Sequence, residues 1–144
     1  MLEHVDRLGS YKVENLFGDV VWFQFDGGIA ASLWAPTQIF LERVIEERGQ
    51  VLMLGNGELW TSYEAGYRQG CTAWFLRRRQ KISAVHLLTR STLLQMGINL
   101  VNLAIPIITA YSDPQEFWSS VSAQVPTLET RLERTGLRKP GSAT

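Results

Sequence analysis

Residues 82–121 constrain the fold of this chain more than any other stretch, because ISAVHLLTRS, TLLQMGINLVNLA, PIITAYSD and PQEFWSSV spell strand, helix, strand and helix. Two short β-branched runs separated by one helix length call for a crossover, and a parallel βαβ unit supplies it. The same stretch carries no catalytic constellation. The functional question is therefore whether a small α/β domain without visible chemistry is an enzyme or a binding module.

At 144 residues with 45% hydrophobic and 10% aromatic content, the chain is long enough for one domain with a real core. Fourteen basic and fourteen acidic residues cancel, so neither a nucleic-acid footprint nor a polyacidic role is indicated. The single cysteine, Cys71, excludes an internal disulfide, and with only His4 and His86 beside it a Cys/His zinc site cannot be assembled. No cofactor is expected. No segment reads as a signal peptide and no apolar run reaches the ~20 residues of a membrane span, so a cytoplasmic location is expected.

Residues 1–10 read as a leader, 11–125 as the domain, and 126–144 as a C-terminal helix or flexible tail, with a frayed end from Lys139. Two strand-like runs, 11–17 and 19–25, meet at Gly18-Asp19, which suits a tight hairpin turn. In the second run both faces are largely apolar, so that strand is expected to be covered on both sides. Pro36 near its start and Gly49 at its end bracket a first helix over about 35–48. QVLML at 50–54 is a short strand, and Gly55-Asn56-Gly57 reads as the loop that breaks it. Tyr67, Cys71, Trp74 and Arg78 form a helical stripe, followed by the basic run 77–81, which reads as a solvated helix end. Thr92 with Gln95 makes a capping box for a third helix, and Asp113-Pro114 opens a fourth. His86 reads as a hydrogen-bonded structural histidine and Cys71 as a small buried hydrophobe.

Three passages, VVWFQFDGGIA, VLMLGNGELWTSYEAG and AVHLLTRS through ITAYSDPQEFW, resemble a STAS-type domain of the SpoIIAA-like group, bacterial proteins related to anti-sigma-factor antagonists. The likeness spans roughly residues 11–122. It implies an α/β fold with a mixed, mainly parallel sheet of about five strands, an N-terminal hairpin and about four helices mainly on one face. It also implies a non-enzymatic regulatory or scaffolding module that works in bacterial signalling by binding a protein partner, a kinase or regulator among the candidates.

In antagonist STAS domains Asp-Ser-Ser-Gly opens the second helix, and its first serine is phosphorylated. Placed without a gap, that motif falls on Thr61, Ser62, Tyr63 and Glu64, so only Ser62 matches. Ser62 is the regulatory phosphorylation candidate, and Thr61, Tyr63 and Glu64 are partner-binding candidates beside it. The plainer reading is that Thr61 or Ser62 is a helix N-cap. On the third helix Gln95, Asn99 and Asn102 form one polar stripe, while Leu93, Met96, Leu100 and Leu103 belong to an apolar surface wider than a sheet can cover. Those four leucine and methionine positions are further partner-binding candidates. The surplus surface is open to a protein partner, a homodimer, an apolar ligand held in a Sec14-like manner, or the chain's own termini.

Overall fold

The computed structural model of the chain describes residues 1–141. Six strands form one mixed sheet in sequential order: β1 (Leu2–Val5), β2 (Gly9–Phe17), β3 (Val20–Ile29), β4 (Val51–Tyr63), β5 (Ile82–Thr89) and β6 (Ile108–Tyr111). The first three are antiparallel neighbours, and β3 through β6 run parallel. Residues 1–10, expected as a leader, supply the edge strand β1 and the first residues of β2. The β2–β3 hairpin turns at Gly18 with φ +52°, and the Asn15 amide donates to the carbonyls of Gly18 and Val20.

Each parallel strand lies beside its predecessor on the same side, so right-handed crossovers place their helices on one face. These are α1 (Trp34–Arg48), α2 (Ala65–Arg78) and α3 (Thr92–Ala104). Two more helices, α4 (Pro114–Gln124) and α5 (Leu128–Thr135), follow the last strand and pack on the opposite face. The helix count thus exceeds the expected four by one, and the second face is covered.

The two faces carry separate cores. Val21, Phe23, Phe25, Met53 and Val85 meet α1–α3, whereas Val20, Trp22, Leu54 and Leu88 meet Phe117 and Val121 of α4 and Leu128 and Leu132 of α5. Strand β3 is accordingly buried on both sides, as its doubly apolar pattern requires. Helix α1 ends as expected at Gly49, whose φ of +82° lets its N–H reach the Ile45 carbonyl at 2.7 Å.

Three expectations are corrected. Gly55-Asn56-Gly57 is not a loop: it continues β4, and Asn56 is fully buried between β3 and β5. The glycines are there for room. A Cβ at Gly55 would stand 2.5 Å from Leu87 Cδ1, and one at Gly57 would stand 2.5 Å from the Leu88 carbonyl. Second, Thr61, Ser62 and Tyr63 end β4 and do not begin a helix; the N-cap of α2 is Glu64, without a side-chain cap bond. Neither Thr61 nor Ser62 is therefore the N-cap. Third, the α3 cap is Ser91, whose Oγ accepts the Leu94 N–H at 3.2 Å, while Gln95 donates to the Thr89 carbonyl and closes no capping box with Thr92.

The expected frayed end is also different in part. Residues 138–141 lie across the ends of β3 and β4, held by side chains of both strands. Ser142, Ala143 and Thr144 fall outside the described residues.

Candidate functional site

Between the sheet and helices α2 and α3 lies a cavity of about 100 Å³. Its floor is Phe23, Phe25, Met53, Gly55 and Leu87, and its walls include Tyr67, Cys71 and Phe75 of α2 and Leu94, Gly97 and Ile98 of α3. The lining is almost wholly apolar. Arg68, with its guanidinium 5.9 Å from the Tyr63 ring centre, is the one charged residue on it among the described residues.

Local sequence explains why the space is there. Helix α3 would approach Tyr63 too closely with any side chain at Gly97, where a Cβ would fall 2.6 Å from the Tyr63 Oη. Gly55 leaves a gap in the sheet floor that a larger residue would fill. Aromatic rings frame the gap: Phe25 and Trp60 stand 4.9 Å apart between centres, and Trp60 and Tyr63 stand 6.0 Å apart.

The Tyr67 hydroxyl on the cavity lining is engaged away from it. Thr37 Oγ1 lies 2.6 Å from the Leu33 carbonyl and spends its proton there, so Tyr11 must donate to Thr37 at 2.7 Å and Tyr67 to Tyr11 at 2.8 Å. Burial raises the pKa of Tyr67 well above the usual phenol value. Burial likewise pushes the Cys71 thiol up to about 12. A cavity of this kind offers shape and dispersion contacts and no activated nucleophile. Cys71 is accordingly expected to react with an aqueous disulfide reagent at pH 8 much more slowly than an exposed thiol, measured by the absorbance of the released thiolate.

The partner-binding candidates of α3 all face outward: Leu93, Met96, Leu100 and Leu103 are 74%, 59%, 62% and 83% exposed. The polar stripe does not form the solvent face by itself. Gln95 and Asn102 are tethers, bonding the Thr89 carbonyl and the Ile108 N–H, and only Asn99 of the three is exposed. Of the other candidates, Tyr63 joins the cavity, while Thr61 and Ser62 are exposed beyond it. Glu64 accepts the Ala31 N–H at 2.9 Å and so ties the start of α2 to the end of β3. The residue that sequence reading missed is Gly97, and the signal was present: an interior helix glycine costs stability and needs a packing reason.

On the other face His86 bonds Tyr111 Oη at 2.9 Å, and Tyr111 donates to Ser120 at 2.9 Å. Burial lowers the pKa of His86, with the contact to Gln124 pulling the other way. A depressed folded pKa means that the unfolded chain binds the proton first, so stability present above pH ~6.5 falls as the pH drops below it. Urea midpoints are expected to decline between pH 7 and 5, and His86→Gln to flatten that decline. Among the described residues, no three His, Cys, Asp or Glu side chains are grouped so as to hold a metal ion, and no helix is long and apolar enough to cross a membrane.

No family model matches the chain, and no curated protein matches it. Among solved structures it is similar to an uncharacterized protein of the DUF3478 family with a SpoIIAA-like fold from Shewanella loihica PV-4. The identity is 12%, the match covers 83% of this chain and 94% of that one, and the TM-score is 0.56. The fold expected from the three sequence passages, a SpoIIAA-like α/β domain, is thereby established.

Proposed function

On this SpoIIAA-like fold, we propose that the chain is a non-enzymatic binding module whose cavity takes an apolar small molecule between the sheet and α3. The observation that carries the reading is the cavity itself, about 100 Å³ with an almost purely apolar lining inside a small domain. Native interiors have few voids larger than a water molecule, and apolar cavities of similar size stay dry and bind small hydrocarbons. An apolar ligand gains from this space what water cannot.

The test is uptake of fluorobenzene, a probe small enough for this space, followed by its fluorine NMR signal. Saturable binding, competed by unlabelled aliphatic alcohols, is expected. A linear, non-saturating response would count against the cavity as a site.

The exposed face of α3 supports a second reading, in which the module also docks a protein partner. Four large apolar side chains in a row on one helix are more than solvation explains. Leu100→Lys is expected to leave the free energy of unfolding in urea within about 1 kcal/mol of the parent, because the side chain is exposed. The same change should weaken any complex recovered from host lysate at least fivefold. Full retention of the complex would remove α3 from the interface. Ser62, exposed at the end of β4, is the residue whose phosphorylation would regulate such docking, and intact-mass mapping of the host protein tests it.

A further inference from the structure

The sheet face remote from the cavity carries its second core as far as Trp22 on β3 and Leu54 on β4. Beyond these the strands turn polar, with Gln24 and Asp26 on β3 and Asn56 and Glu58 on β4, and Gln24, Asn56 and Glu58 are nonetheless buried. What covers them is residues 138–141, directly after α5 and its Gly136 terminator. Gln24 Oε1 accepts the Arg138 N–H at 2.8 Å, and Asn56 Nδ2 donates to the Arg138 carbonyl at 3.0 Å. Two amide side chains thus hold both polar main-chain atoms of one residue.

The side chains are read as well. The Arg138 guanidinium forks onto both carboxylate oxygens of Asp26. Lys139 places its ammonium 4.9 Å from the Trp118 ring centre and 3.2 Å from Glu129. Glu58, held by Arg90 at 3.3 Å, accepts the Gly141 N–H with its two oxygens at 3.1 Å. Main-chain bonds that are indifferent to sequence, joined to side-chain contacts that are not, are the division of labour of peptide recognition.

We propose that this row is a recognition site for a partner segment bearing adjacent arginine and lysine, which the chain's own residues 138–141 occupy in cis. It stands apart from the cavity and does not depend on it. The contacts of Arg138 and Gly141 are polar, and release of the segment would uncover the buried Pro140 ring and the Trp118 face under Lys139, while the core that Leu128 and Leu132 join is anchored separately. Because α5 docks independently through Leu128 and Leu132, the cis segment is held at high effective concentration. A free peptide competes only once that segment is weakened.

The test uses the full chain carrying Arg138→Glu, which sets a carboxylate against Asp26, and a fluorescein-labelled peptide Thr-Gly-Leu-Arg-Lys-Pro-Gly. The variant is expected to bind the peptide at least tenfold more tightly than the parent chain does. Binding should vanish when the peptide's arginine is replaced by glutamate, and when Asp26→Asn is added to the variant. A folded variant that ignores the peptide, or binds both peptides equally, would overturn the proposal. Should the variant fail to fold, amide exchange of the parent chain gives the answer independently. Arg138 and Gly141 exchanging through local opening, ahead of Leu128 and Leu132, supports a displaceable ligand; exchange only through global unfolding overturns it. Sedimentation separates the source of the segment. A parent chain whose mass stays constant with concentration supports a foreign partner, whereas a dimer lost on Arg138→Glu assigns the segment to a second copy and overturns that partner.

Discussion

Gly55→Leu is expected to reduce binding of fluorobenzene at least tenfold while leaving the domain folded. The added Cβ would start 2.5 Å from Leu87 Cδ1 and 3.3 Å from Phe25 Cε2, both on the cavity lining. The end of the Leu87 side chain can yield, so the new branch is driven into the empty space. Overpacking of this kind costs about 1–3 kcal/mol, which a thermal melt followed by circular dichroism would register as a lowered midpoint with the native spectrum kept. Undiminished binding by the folded variant would place the ligand elsewhere.

The largest loss of stability is expected in the second core. Trp22→Ala removes a fully buried indole that meets Phe117 edge-on at 6.1 Å, and should cost about 3–5 kcal/mol in urea unfolding. The milder substitution is more discriminating. Among the described residues Trp22 Nε1 has no hydrogen-bond partner, whereas Trp74 Nε1 donates to Glu42 at 2.7 Å. Phenylalanine at 22 removes an unsatisfied donor along with some volume, while phenylalanine at 74 also breaks a bond to a carboxylate. Trp74→Phe should therefore be the costlier of the two by about 1–2 kcal/mol, although both indoles are fully buried. Equal costs would mean that the Glu42 bond adds nothing net.

Those two tryptophans also mark how far sequence reading reaches. The alternation Val20, Trp22, Gln24 against Val21, Phe23, Phe25 identified a strand buried on both faces, because a period of two is visible without knowing the neighbours. It could not say that α4 and α5 supply the second cover. The surplus apolar arc of α3 was legible for the same reason, and Leu93, Met96, Leu100 and Leu103 are exposed. Which residues face the cavity was not legible, since that depends on β4 continuing through Gly55-Asn56-Gly57, a tripeptide whose local propensity is for a turn. Parallel pairing to β3 and β5 overrides the propensity by satisfying the strand's backbone on both sides. Extending β4 then moves Thr61–Tyr63 out of the helix to which a gapless motif placement had assigned them. The strap at 138–141 was hidden for another reason: Lys-Pro-Gly reads as a frayed end, and its partners Gln24 and Asn56 lie more than eighty residues away.

The binding of an apolar molecule in the α2–α3 cavity is tested most directly by native mass spectrometry of the chain purified from its host without detergent. A bound mass that leaves on organic denaturation, and that is absent from Gly55→Leu prepared in the same way, is the expected result. A clean mass of the bare chain from several preparations, with no saturable uptake of fluorobenzene, would contradict it.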